Sequence, residues 1–146
     1  MRKIILATTF ILTALGSYAQ KSEIFAPGGK AIKGYDVVAF FKDAGPVAGA
    51  DSLSYQYKDA QWLFANRANL DAFKANPDMY MPQYGGYCAY GTSQGHKAPT
   101  ETDTWTIVND KLYFNYNQKV KENWSKKWDE LIRKADTEWP LIKDKQ

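Results

Sequence analysis

The chain has 146 residues, 45% of them hydrophobic and 24% charged, which is enough for one compact domain and too apolar for a disordered chain. Nineteen Lys and Arg against sixteen Asp and Glu leave a net charge of +3, too small and too scattered a surplus to make a nucleic-acid surface. One Cys and one His exclude an intramolecular disulfide, a CxxC pair and any metal centre built from several Cys or several His of a single chain.

Arg2 and Lys3 open a short basic stretch, residues 4–15 form an apolar run shorter than a bilayer span, and Ser17-Tyr18-Ala19 places small residues at −3 and −1 of a cleavage point after Ala19. This pattern predicts a secretory signal peptide over residues 1–19. With no Cys directly after the apolar run, it implies a soluble periplasmic protein without a membrane anchor after cleavage. In an oxidising compartment a lone thiol must be buried, liganded or reactive.

Residues 20–33, with Pro27-Gly28-Gly29, read as an irregular N-terminal arm. Residues 35–41 are apolar except for Asp36, which is placed to cap a short helix, and residues 42–51 read as a loop. Leu53, Tyr55 and Tyr57 alternate with polar neighbours and are followed by Trp62-Leu63-Phe64, which predicts a β-hairpin. Asn66 can cap a helix over residues 67–75, with Leu70 and Phe73 on one face, and Asn76-Pro77 ends it. Residues 78–95 read as a loop with a short strand at 87–90. Two further strands, 104–108 and 111–116, flank Asn109-Asp110, a pair that tolerates positive φ. Asn117 can cap a final helical region carrying Val120, Trp124, Trp128, Leu131, Ile132 and Ala135 at helical spacing, bounded by Pro140. The expected fold is α+β over residues 34–142, a small antiparallel sheet from hairpins packed against short helices and a C-terminal helical region, followed by a polar tail over 143–146.

Several of these segments resemble the YHS domain family. The family pattern of an aromatic-Phe strand end, a short helix ending at Phe, a residue-Pro pair and a Tyr is matched by Trp62-Leu63-Phe64, Phe73, Asn76-Pro77 and Tyr80. Residues 34–41 (GYDVVAFF), 82–90 (PQYGGYCAY) and 112–116 (LYFNY) are similar to a subgroup of stand-alone exported YHS-domain proteins, some of which carry selenocysteine where this chain has Cys88. The resemblance covers residues 33–141. It implies the YHS fold, and it implies redox or soft-metal chemistry at Cys88. The metal-associated members carry a Cys-Gly-Met piece and two further cysteines; the matching positions here are Ala39-Phe40-Phe41, Ala65 and Asn69, which supply no sulfur.

The chemistry left to the chain centres on Cys88. Gly85 and Gly86 beside it allow a tight turn and a close backbone approach. His96, eight residues on, can supply positive charge or an imidazole ligand if the intervening loop folds back. Met79 and Met81 add thioethers suited to copper, and a soft transition metal, copper or zinc, is the cofactor these residues would hold. Tyr84, Tyr87 and Tyr90, with Tyr35, Trp62 and Trp105, are expected to line a pocket near Cys88. Asp36 and Asp103 are read as capping and turn residues, Trp124, Trp128 and Trp139 as packing residues, and the lysines of 119–127 as a solvated helix face. Two functions follow. One is a non-enzymatic exported module binding a soft metal ion or small ligand at Cys88. The other is a thiol redox protein whose oxidised Cys88 is resolved by another molecule's thiol.

Overall fold

A computed structural model describes residues 22–145, so the expected signal peptide over 1–19 lies outside the described residues. Strands β1 (Ala50–Tyr57) and β2 (Ala60–Phe64) form the first hairpin, with Tyr55 opposite Trp62 and Tyr57 opposite Ala60. Lys58 and Asp59 turn it with φ of 50° and 58°, the doubly left-handed geometry that matches strand twist. The register shifts between Ala50 and Ser54. Alternation along β1 half-buries Leu53, Tyr55 and Tyr57.

Ahead of the hairpin, Asp36 is fully buried, and one carboxylate oxygen accepts the Val38 and Ala39 N–H groups at 2.9 and 3.2 Å. This cap starts the short helix α1 (Ala39–Lys42). Behind the hairpin runs α2 (Arg67–Ala75), where Asn66 accepts the Asn69 N–H at 2.8 Å. Phe73 enters among Tyr55, Tyr57, Trp62 and Phe64, with ring centroids 4.9–6.2 Å away. Asn76 ends α2. Pro77, free of any need for an N–H donor, starts a further single turn, α3 (Pro77–Tyr80), where the sequence suggests loop.

The second hairpin, β3 (Thr106–Val108) and β4 (Lys111–Tyr113), turns at Asn109-Asp110 with φ of 49° and 60°. Both strands are shorter than expected, and the two hairpins remain separate sheets. Thr104 lies in a 3-10 turn, and the Asn115 N–H donates to the Thr104 hydroxyl at 2.8 Å, so a side chain takes the place of a ladder partner.

The C-terminal region is two helices. Asn117 caps α5 (Gln118–Ser125) by accepting the Val120 N–H at 2.9 Å, the chain breaks at Lys127, and α6 (Trp128–Ile142) follows. The break lets Trp124 bury itself beside Tyr113, while Trp128, expected to pack, is 38% exposed. Pro140 lies inside α6 and does not bound it. So close to the end, its missing N–H removes one bond, and the next turn closes with Lys143 N–H on the Trp139 carbonyl at 2.9 Å.

Two cores result. The first joins Val37, Val38, Phe40, Trp62, Phe64, Phe73, Leu112 and Phe114 with Ile24, Ala31 and Ile32 of the arm, which folds into two 3-10 turns. The second joins Tyr84, Ala89, Tyr113, Trp124, Leu131 and Ala135. Successive strand residues face opposite ways, so Leu112 enters the first core and Tyr113 the second. The architecture is α+β, and none of the described helices is long and apolar enough to cross a membrane.

Candidate functional site

The 82–90 block lies at the second core, and its geometry departs from the expected strand. Residues Gln83–Gly86 form a 3-10 turn containing a left-handed run, with φ of 57° at Tyr84, 61° at Gly85 and 89° at Gly86. A helix, α4 (Ala89–Ser93), starts immediately afterwards. Only Cys88 of the expected strand pairs, in a single bridge to Phe114. Cys88 Sγ accepts the Gly91 N–H at 3.4 Å and the Cys88 carbonyl accepts the Thr92 N–H at 2.9 Å. A cysteine thus caps a helix, a role that sequence patterns assign to Ser, Thr, Asp or Asn.

Cys88 is 2% exposed. Its thiol faces the carboxamide oxygen of the fully buried Asn115 at 3.6 Å, and that oxygen also accepts the Tyr90 N–H at 3.1 Å. Burial pushes the thiol above its ordinary range, against the opposing pull of the Gly91, Tyr116 and Tyr90 backbone N–H groups. Nucleophilic or ligating thiolate is disfavoured in this setting.

The other residues expected near Cys88 disperse. The loop after α4 folds back, with His96 N–H on the Gly91 carbonyl at 3.1 Å, and the His96 side chain is exposed. Met79 is 55% exposed on α3, whereas Met81 is half-buried. Among the described residues no group of three or more His, Cys, Asp or Glu is arranged to hold a metal ion. The six rings do not surround one pocket. Trp62, Tyr35 and Trp105 belong to the first core, Tyr84 and Tyr90 to the second, and Tyr87 turns to the arm, donating to the Ser22 carbonyl at 2.8 Å. Ala65 and Asn69 do converge: Ala65 N–H and Asn69 Nδ2 both donate at 2.8 Å to the second carboxylate oxygen of Asp36, making a hydrogen-bond clamp with no sulfur in it.

A cleft of about 440 Å³ opens beside the left-handed turn, which places it within the usual range for small-molecule sites. Its walls are the arm (Glu23, Ile24), the first hairpin's turn (Lys58), Asp78 and Met81, the 82–85 turn, Lys111 of β4, and Asp136, Trp139 and Pro140 of α6. Sequence reasoning missed Glu23, Lys58, Lys111 and Asp136, which come from four separate segments and carry no shared motif.

Backbone contacts fix this wall tightly. The Phe25 N–H donates to the Gly85 carbonyl at 2.8 Å, and a Cβ on Gly85 would collide with the Glu23 carbonyl oxygen. A Cβ on Gly86 would collide with Ile32 Cδ1, and Ile32 is itself left-handed at φ 49°. Two strained turns therefore dock on each other, and one carries a β-branched residue in a conformation such residues rarely adopt. Tyr84 lines the cleft and donates its hydroxyl to Asp136 Oδ1 at 2.9 Å; burial and the neighbouring carboxylate push its phenol far above 10.0. Tyr113 is likewise pushed up to about 12, by burial first and by Asp136 second. Glu23 and Lys58 pair at 3.0 Å, and this hydrogen bond raises the Lys58 ammonium above its ordinary 10.5.

Comparison of the chain with models of protein families, with curated proteins and with solved structures found no match.

Proposed function

We propose that the protein is a non-enzymatic binding module that holds a small organic ligand in the cleft beside Tyr84. The observation that carries this reading is the wall at Tyr84, a bulky residue held in left-handed backbone. Three consecutive left-handed residues, one of them an aromatic, are locked by backbone contacts to the arm and by a hydroxyl to α6. Strained backbone persists only where the surrounding structure fixes it, and it clusters at binding sites. The charged rim and the Ile24, Met81 and Trp139 side chains give the cleft both orienting groups and apolar area.

The YHS-like motifs and the leader-like residues 1–19 support placing this module among exported proteins of that kind. In this reading the buried Cys88 holds the site's framework: it starts α4 one turn after Gly86, and its bridge to Phe114 sets the turn against β4. Metal ligation and thiol redox chemistry at Cys88 draw no support from its burial or from the direction of its pKa shift.

A chemically diverse panel of small metabolites, screened against the 15N-labelled protein by NMR, tests the reading. The expected result is saturable shifts centred on the backbone amides of Gly85, Lys111 and Asp136, retained in Cys88→Ser. A panel that leaves those amides unmoved overturns it.

A further inference from the structure

The charges that line the cleft suggest what it takes. Five ionisable groups other than tyrosine face it: Glu23, Asp78 and Asp136, against Lys58 and Lys111. Glu23 and Lys58 pair at 3.0 Å, and Asp78 acts on the same Lys58 ammonium, so these three groups are occupied with one another. Lys111 and Asp136 sit on different walls, β4 and α6, and neither has an ion-pair partner within 4 Å among the described residues, although six such pairs occur elsewhere on the molecule. Asp136 is not free to swing, because Oδ1 takes the Tyr84 hydroxyl at 2.9 Å. One positioned anion and one cation thus face one cleft, and Ile24, Met81 and Trp139 give it apolar surface.

A ligand with a single charge would satisfy one of these groups and face the other unmatched. A ligand with both charges and an apolar body satisfies both. We infer that the cleft binds a small zwitterion of amino-acid type, its ammonium on Asp136 and its carboxylate on Lys111, with the side chain on the apolar surface of the cleft. This rests on the reading of the cleft as the ligand site. Tyr84 acts as a positioning residue, holding the carboxylate that receives the ammonium. Charge-assisted hydrogen bonds at both ends would give orientation as well as affinity.

The test titrates the 15N-labelled full chain with L-norleucine and with its two half-molecules, n-pentylamine and hexanoate, reading the amides of Gly85 and Lys111. Norleucine is expected to bind at least about tenfold more tightly than either half. Lys111→Gln should weaken norleucine about tenfold and leave pentylamine unchanged, while Asp136→Asn should weaken norleucine and pentylamine and spare hexanoate. Both positions are on the surface, so the fold should tolerate either change. Alanyl-norleucine in the same titration separates two sources of the zwitterion: tighter binding than norleucine points to a peptide, weaker binding to a free amino acid. Either half-molecule binding as tightly as norleucine, or all three failing to move these amides, overturns the zwitterion. Cleft shifts from any other compound of the metabolite panel would then leave the cleft reading standing, whereas their absence would remove that as well.

Discussion

Phe73 and Tyr84 occupy the two cores, and their surroundings differ in kind. Phe73 touches four rings, all from the first hairpin, and has no polar atom to satisfy. Tyr84 touches Tyr113 and Trp139, bonds Asp136 and sits in left-handed backbone beside a cleft. The Phe73 region is built from apolar burial on regular hairpin and helix, the usual source of stability. The Tyr84 region holds the perturbed phenols and the thiol. Its neighbour Lys97 is also buried there: its ammonium meets the Lys143 and Lys145 carbonyls and the Tyr87 and Trp139 rings. In the proposed reading these groups frame the ligand site, while the Phe73 side contributes apolar burial.

The largest expected loss of stability is at Phe73. Phe73→Ala should cost about 3–5 kcal/mol, read from the urea midpoint, because four rings lose a shared partner. A loss below about 1 kcal/mol would mean that the first core collapses around the gap and does not carry the fold. Gly85→Ala should cost about 3 kcal/mol, since it sets a Cβ against the Glu23 backbone at positive φ. Proteolysis of the arm should accelerate in the same variant, and an unchanged cleavage rate would argue that the turn does not hold the arm.

Alkaline pH should weaken the Tyr84 side selectively. Tyr84, Tyr87, Tyr113 and Cys88 all have folded pKa values raised above their ordinary ones, so the folded state prefers their protonated forms. Below about pH 8 both folded and unfolded states keep these protons, and stability is full. As pH rises, the unfolded chain releases them first, the thiol before the phenols, so stability should fall from about pH 8 upward and most steeply between about 10 and 12. Tyr84→Phe should flatten that fall and cost only about 1 kcal/mol at neutral pH. Equal alkaline slopes in wild type and Tyr84→Phe would show that the phenol contributes nothing. The smallest expected effect is at Cys88→Ser, within about 1 kcal/mol, because Ser also caps helices. Alkylation of the wild-type thiol should be slow in the folded protein and rapid in urea.

The regular half of the molecule was readable from residues. Alternation at 53–57, the caps at Asp36, Asn66 and Asn117, and the Asn109-Asp110 turn each state a local rule that the fold obeys. The site half was not. Tyr87-Cys88-Ala89-Tyr90 reads as a short apolar strand, but Gly91 N–H reaches the Cys88 sulfur and starts a helix. Lys126-Lys127 carry no break signal; the break comes from Trp124 turning inward to Tyr113. Ile32 and Tyr84 at positive φ contradict their own propensities, and only the contact between their two turns explains them. Cys88 is chemically distinctive and stands out in the sequence, whereas the charges of the cleft are ordinary residues gathered from distant segments by tertiary structure.

The most direct test of the central claim is one titration of the wild-type protein and Cys88→Ser, side by side, with a ligand drawn from the metabolite panel. The same affinity is expected in both, with shifts centred on Gly85, Lys111 and Asp136. Binding lost in a folded Cys88→Ser, or shifts centred on Cys88 and Asn115, would contradict it and return the site to the thiol.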